Sequence, residues 1–368
     1  MLYKKVVRPI LFRIDPEHVH DLAVSLLSVV GKCSIISNMV SRFLTIDSLL
    51  LKQTVDGIHY AVPVGLPAGF DKNGQLTKSM HMFGYGFMEV GSVTARSCKG
   101  NVKPRLWRIP AFETLVVHYG LKNDGCDTVA DRIRATATIP IGANIAQTND
   151  GVETSIEEAI NDYYSSYVRL EPFANYMVIN ISCPNAVYGQ QFLIAKNLDL
   201  LLTKLDTIVS VKPRYLKLSP DLPFERVDDI LAIVRDHRID GFIISNLVKD
   251  RNLVSIPKKF FEKVGEGGLS GSVTRDLSTA LISYVFEKTQ GQYTIIGCGG
   301  IMNSEHAYQK LKAGASLVQV LTGFIYGGPM AIYRINRGVK KLMERDGIKT
   351  IKDLHSGQFV HNEVNKKK

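Results

Sequence analysis

Eight short apolar runs constrain the fold of this chain more than any other feature. They lie at 64–70, 87–94, 141–145, 176–182, 215–220, 241–246, 294–300 and 316–323. Most are separated by stretches long enough for a helix, such as 153–170, 223–236, 272–287 and 304–313. A strand buried on both faces reads as a continuous apolar run, and eight of them alternating with helices specify a (β/α)8 TIM barrel. A doubly wound sheet is the competing architecture. Polar or glycine-rich motifs follow nearly every run, as a ring of functional loops at one barrel mouth requires, and this favours the barrel. Single barrels of 368 residues are common, although length alone admits two domains. The expected organisation is a helical extension over 1–45, a barrel over 46–350 and a basic, flexible tail over 351–368.

The first 31 residues read as two amphipathic helices. Asp15-Pro16-Glu17 is a helix start: an N-cap acceptor, proline in the first turn, and an acid at the positive end of the dipole. Val19, Leu22, Ala23, Leu26, Leu27 and Val30 follow at helical spacing, and Gly31 is the expected stop. Pro9 bends or ends the segment before it. Such a pair either caps the barrel or dips into a membrane interface as a monotopic patch. Lys4, Lys5, Arg8 and Arg13 add attraction to an anionic surface, and the formal charge of +10 also suits an anionic cofactor or substrate. No basic helix, ribonucleoprotein-type motif or zinc finger accompanies that charge, so nucleic acid is not an expected partner.

No run reaches eighteen apolar residues, and 22–31 lacks the basic flank of a signal peptide. The expectation is a peripheral protein on the cytoplasmic side of the cell membrane. Five scattered cysteines without a C-x-x-C pair support neither a disulfide framework nor a metal site.

The ends of the runs carry the chemistry. Asn180-Ile181-Ser182-Cys183-Pro184-Asn185-Ala186 sends a thiol and two carboxamides off one strand, and Pro184 stops the strand from continuing. Cys183 is the candidate general base, although buried cysteines are more often inert packing. Gly297-Cys298-Gly299-Gly300 and Leu321-Thr322-Gly323 end the last two runs, where barrels commonly cradle a phosphate on backbone N–H groups. Gly267-Gly268-Leu269-Ser270-Gly271 is expected to be a third such loop.

Lys72, after the first run, and Lys217, inside the fifth, are cations in apolar surroundings, which are costly unless paired. Asn144, Asn180 and Asn246 offer carboxamides suited to a planar heterocycle. Together these features imply a phosphorylated heterocyclic cofactor over the barrel mouth, most economically flavin mononucleotide. No G-x-G-x-x-G sits between a strand and a helix, so a nicotinamide domain is not expected.

On these residues the chain resembles the dihydroorotate dehydrogenases, specifically the membrane-associated, quinone-using class 2 enzymes. The similarity runs from about residue 1 to residue 330. It is carried by Ile14-Asp15-Pro16-Glu17-His18-Val19-His20, Ala68-Gly69-Phe70-Asp71-Lys72-Asn73-Gly74, Lys103-Pro104-Arg105-Leu106-Trp107-Arg108, residues 180–185 and 267–271, and Ile295-Ile296-Gly297-Cys298-Gly299-Gly300.

The resemblance implies oxidation of (S)-dihydroorotate to orotate in pyrimidine biosynthesis, with electrons passed to a membrane quinone. It places His20, Arg105 and Arg108 at or near a quinone tunnel formed by the N-terminal helices. Flavin contacts fall on Ala68, Gly69, Lys72, Ser92, Asn144, Asn180, Lys217, Ser245, Gly271, Gly300, Leu321 and Thr322. Substrate contacts fall on Lys72, Asn180, Asn185 and Asn246.

Four positions depart from the class 2 pattern. The base is Cys183 where serine is usual, as in class 1 enzymes. Ala186 replaces a threonine, Val117 a substrate-binding asparagine, and Leu247 a second threonine. A thiol is more acidic than a hydroxyl, so Cys183 needs less help from a relay. Each lost hydrogen bond to a ligand is worth roughly 0.5–1.5 kcal/mol. These losses keep two alternatives open: a flavin oxidoreductase for another cyclic amide or enoate, of dihydropyrimidine or dihydrouridine type, and a scaffold without turnover.

Overall fold

The computed structural model describes residues 2–134, 137–186 and 189–355. A π-helical turn, Tyr3–Val7, runs into the short helix α1 (Arg8–Leu11), with Pro9 in its first turn. Helix α2 (Pro16–Val30) starts where Asp15 accepts from the His18 N–H at 3.0 Å, and α3 (Ser34–Leu44) follows. Helix α3 was not foreseen. It leaves α2 at a bend of 109°, and among the described residues no single helix is long and apolar enough to cross a membrane.

Beyond the extension the order is β1 (Gln53–Val55), β2 (Ile58–Tyr60), β3 (Val64–Leu66), β4 (Phe87–Val93), β5 (Leu106–Ile109), β6 (Thr114–Val117), α4 (Cys126–Ile133), β7 (Ile141–Ile145) and α5 (Ile156–Leu170). Then come β8 (Tyr176–Asn180), α6 (Ala195–Asp206), β9 (Arg214–Leu218), α7 (Phe224–Val234), β10 (Gly241–Ile244), β11 (Gly268–Gly271) and α8 (Arg275–Lys288). The last elements are β12 (Thr294–Cys298), α9 (Ser304–Lys312), β13 (Leu317–Gln319), α10 (Thr322–Gly327) and α11 (Ala331–Arg345).

All eight apolar runs become strands of one closed parallel barrel, ordered β3-β4-β7-β8-β9-β10-β12-β13, with Val318 opposite Val64 at the closure. Their complete burial explains the absence of polar alternation: every residue of β7, β8 and β9 is buried. Rings of Tyr60, Phe87, Tyr176 and Tyr215 fill the interior, and the β1–β2 hairpin supplies Tyr60. Gly65 and Gly142 make room for this packing. A Cβ at Gly65 would lie 2.4 Å from the Phe87 ring, and one at Gly142 would lie 2.2 Å from the Tyr176 ring. Around the barrel, Leu201, Leu205, Ile230, Val234, Ile282 and Leu311 bring the outer helices onto the strands in one continuous core.

Residues Gly268–Gly271, expected to be a loop, form β11, which joins β6 and β5 in an antiparallel sheet beside the barrel mouth. Residues 351–355 of the expected tail do not hang free. Ile351 and Leu354 are buried, and the His355 ring nitrogen lies 3.0 Å from the Leu311 carbonyl oxygen. The rest of that tail, 356–368, lies outside the described residues.

Candidate active site

The polar floor of the barrel mouth is built around a carboxylate that the sequence reading overlooked. Glu89, in the middle of β4, is fully buried. It accepts from Asn144 Nδ2 at 3.0 Å and from Gln319 Nε2, and it lies 3.6 Å from Lys217 Nζ. Lys217 is therefore a paired cation, which is what makes it tolerable inside a strand. Glu89 was legible by the argument applied to Lys217, since it too is a charge within an apolar run. Asn144 also accepts from Ser92 Oγ at 2.5 Å, and Ser92 Oγ accepts from Asn180 Nδ2 at 2.9 Å. The chain of bonds continues through Asn246 Nδ2, which donates to Asn180 Oδ1 and Ser182 Oγ, both at 3.1 Å. Carboxamides from β7, β8 and the end of β10 are thus fixed in one network.

Above this floor opens a cavity of about 170 Å3 lined by Ala68, Gly69, Lys72, Ser92, Asn180, Cys183, Asn185, Lys217, Asn246 and Leu321. A notch of about 80 Å3 continues from it, sharing Ala68, Lys217, Asn246 and Leu321 and adding Ser245, Gly300 and Thr322. Asn144 lies beneath the cavity rather than on its wall. Gly271 ends β11 against Thr322, where an added Cβ would lie 3.0 Å from Thr322 Cγ2. The backbone frames the notch closely: a Cβ at Gly300 would lie 2.4 Å from Arg275 Cα, and one at Gly323 would lie 2.2 Å from the Ile301 carbonyl oxygen.

Cys183 lies just past β8, where Pro184 turns the chain across the cavity. Burial pushes its thiol up to about 11, against the opposing pull of the Asn185 and Ala186 N–H groups. In the dry mouth the thiolate is therefore strongly disfavoured. Lys72 stands across from it with its ammonium 4.0 Å over the Tyr119 ring, and no acceptor among the described residues bonds to it. Burial and the nearby Lys122 charge pull Lys72 down to about 7. Tyr119 and Lys122 complete the wall and were not anticipated, while Ser270 comes from the glycine-rich segment expected at the mouth. The rest of the lining includes the apolar side chains of Leu106, Leu115, Val117, Leu121 and Leu247.

Behind Phe70 lies a second, larger apolar groove of about 610 Å3 between the N-terminal helices and the barrel. Its lining includes Leu11, Val19, Ala23, Leu27, Phe83 and Phe324. His20 and Phe70 border both spaces, with His20 Nε2 2.8 Å from the Phe70 carbonyl oxygen. Burial and the Lys72 charge lower the His20 pKa, so its imidazole is neutral at pH 7. Arg108 borders the groove and donates to the Ile14 carbonyl at 2.8 Å. Arg105 does not border it. It is buried against Glu17, with Nη2 2.8 Å from Oε1, and clamps α2 to the barrel.

The dihydroorotate dehydrogenase family model matches residues 50–343. A dihydroorotate dehydrogenase (quinone) of Nocardia farcinica is 36% identical over 351 residues, covering 94% of each chain. One from Trichormus variabilis is 34% identical, covering 97% of this chain and 99% of its own. Among solved structures, the Eimeria tenella DHODH in complex with ferulenol superposes with a TM-score of 0.81 at 27% identity. That match covers 94% of this chain and 97% of the other.

Proposed function

The chain belongs to the dihydroorotate dehydrogenase family, and on that premise we propose that it oxidises (S)-dihydroorotate to orotate with flavin mononucleotide as its flavin and a membrane quinone as electron acceptor. The observation that carries this reading is the convergence of Cys183, Lys72, Asn180, Asn185 and Asn246 on one cavity that leads into a glycine-framed notch. The notch suits a phosphate, because Gly299, Gly300 and Gly323 present bare backbone to it, and added side chains would strike Thr274 and Ser278 at Gly299, Arg275 backbone at Gly300 and Ile301 backbone at Gly323. Ala68, Gly69, Ser92, Asn144, Asn180, Lys217, Ser245, Gly271, Gly300, Leu321 and Thr322 would hold the group. Bound there, flavin mononucleotide supplies the two-electron acceptor.

The protein's own residues then divide the work. Lys72, with no protein acceptor among the described residues, takes the substrate carboxylate. Asn185 and Asn246 hold the amide edge of the ring, and Asn180 joins that edge to the floor network. Cys183 accepts the proton from the ring carbon beside the carbonyl. The neutral His20 and the Phe70 ring separate this polar chamber from the apolar groove, which suits a quinone.

Leu22, Leu26 and Val29 on α2 and Ile35, Met39 and Phe43 on α3 are exposed, and this favours peripheral contact with a bilayer. Lys4, Lys5, Arg8 and Arg13 beside them favour the anionic cytoplasmic leaflet.

An anaerobic spectrum before and after adding dihydroorotate tests the assignment. Bleaching of the flavin band is expected in the wild type and not in Cys183→Ala, whose bound flavin spectrum stays intact. A wild-type protein that holds flavin but is not bleached by dihydroorotate would sink the substrate assignment. The apolar wall of Val117, Leu121 and Leu247 favours a second reading, another cyclic amide with an apolar edge. A panel of dihydropyrimidines in the same assay separates the two.

A further inference from the structure

Lys310, on α9, is fully buried, yet the chemistry above does not use it. Its ammonium donates to Ser278 Oγ at 2.8 Å, Thr279 Oγ1 at 3.0 Å and the Arg275 carbonyl at 3.3 Å. All three acceptors are neutral, and all belong to the opening turns of α8. Among the described residues no carboxylate pairs with it. It therefore stands at the positive end of a helix dipole, where a cation is repelled, and in surroundings too dry to solvate it. Burial, joined by the Arg275 charge, pulls the group down to about 7 against the weaker opposing pull of Cys298 and Asp276. The other cations near the notch are already matched, Lys217 by Glu89 and Arg275 by Asp276.

The location suggests what offsets this cost. Ser278, which receives the Lys310 bond, donates in turn to the Cys298 carbonyl. A Cβ at Gly299 would lie 3.2 Å from Ser278 Cβ and 2.9 Å from Thr274 Oγ1, and one at Gly297 would lie 3.5 Å from Lys310 Cβ. Lys310 is thus packed directly behind the 297–300 segment that frames the notch, while Thr274, the residue before α8, lines the same notch. A buried ammonium, a helix N-terminus and a backbone loop all turn positive potential toward one cavity, and the missing member of the set is an anion.

We infer that Lys310 is the buried counter-charge of the cofactor phosphate, a positioning residue that makes the notch between Gly299–Gly300 and Thr322–Gly323 select a phosphorylated flavin over an unphosphorylated one. The inference rests on the flavin mononucleotide reading above. It extends that reading to a residue that lines neither cavity.

The test titrates full-length protein, freed of flavin by dialysis, with flavin mononucleotide and with riboflavin, following the quenching of flavin fluorescence. In Lys310→Met the affinity for the phosphorylated flavin should fall about tenfold or more, the scale of one partly screened charge pair, while that for riboflavin stays unchanged. Melting of the flavin-free protein should move upward in the same variant, because the stranded charge is gone. Lys310→Gln keeps a hydrogen-bond donor and gives the same comparison if the methionine variant does not fold, and Lys310→Arg should keep the preference. Equal losses for both flavins, or no loss for either, would overturn the role given to Lys310. A wild-type protein that binds both flavins equally would instead sink the mononucleotide reading itself, and this inference with it.

Discussion

Replacing Glu17 by glutamine tests whether the two halves of the proposed reaction are physically separate. Glu17 is 3% exposed, and its carboxylate accepts from Arg105 Nη2 at 2.8 Å and from Arg105 Nε at 3.1 Å, with Lys103 and Lys122 each at 3.4 Å. Burial alone would raise its pKa, but the Arg105 hydrogen bonds and the charges of Arg105, Lys103 and Lys122 outweigh that and hold it below the ordinary value. A carboxylate whose folded pKa is depressed contributes stability above its unfolded pKa and loses it as pH falls through the folded value.

The glutamine keeps the shape and removes the charge, stranding a buried guanidinium, a change that costs about 3–5 kcal/mol. Arg105 keeps the Lys99 and Asn101 carbonyls, both at 2.8 Å, which places the expectation near the lower figure. At about 2.1 cal/mol/K of unfolding entropy per residue, a loss of about 3 kcal/mol lowers Tm by about 4 °C. The damage falls on the seam between α2 and the barrel. Quinone reduction should therefore suffer while anaerobic flavin bleaching by saturating dihydroorotate persists, with a raised KM because Glu17 no longer supports the Lys72 charge. The double variant Glu17→Gln/Arg105→Met should recover part of the lost stability by removing the stranded charge. Loss of both half-reactions together, or an unchanged melting curve, would refute the reasoning.

Because burial pushes the Cys183 thiol up to about 11, flavin reduction should climb steeply with pH between 7 and 9, about tenfold per unit where the thiolate fraction limits the rate. A flat profile over that range in stopped-flow would remove Cys183 as the base. Lys72, lowered to about 7, must be protonated to hold a carboxylate, so the KM for dihydroorotate should rise above neutral pH; Lys72→Met should raise it about 100-fold and abolish that dependence. Leu247→Thr and Val117→Asn each place a polar group on the apolar wall, and each should tighten orotate inhibition by about 2- to 12-fold if the ring edge meets that wall. No gain in either variant would favour a guest with an apolar edge.

The barrel was legible because burial on both faces leaves a simple trace: β7, β8 and β9 contain no alternation to confuse with amphipathic strands. The start of α2 was legible for a local reason, since Asp15 caps it with its own side chain. What escaped depends on contacts distant in sequence. Strand β11 consists largely of glycine and serine and is a strand only because β6 pairs with it, so composition pointed to a loop. Arg105 carries the same charge as Arg108 a few positions on, and only the approach of Glu17 from α2 decides that one is a clamp and the other borders the groove. The cysteine and the carboxamides were found because their chemistry is unusual at strand ends. The degree to which Cys183 is dried out comes from packing that no local pattern records.

One loop explains why the polar chamber and the apolar groove sit so close without merging. Residues 67–74 leave β3 and, within a few positions, bring Ala68, Gly69 and Lys72 to the polar cavity and Phe70 to the wall between the spaces. Asp71 anchors that loop from below, accepting from the Gln75 and Leu76 N–H groups at 2.9 and 2.7 Å, while the Gly91 N–H donates to its carbonyl at 2.9 Å. Its carboxylate is turned entirely to backbone, so Asp71 sets the path of the loop rather than touching a ligand. Phe70 in turn offers its carbonyl to His20 and its ring edge to both His20 and Phe324. His20, Phe70, Leu106, Leu115 and Ile325 border both spaces, so the two stand adjacent across a thin and largely apolar wall. That arrangement suits two successive half-reactions with chemically opposite partners, and the Asp71 turn fixes the loop that supplies one wall of each space.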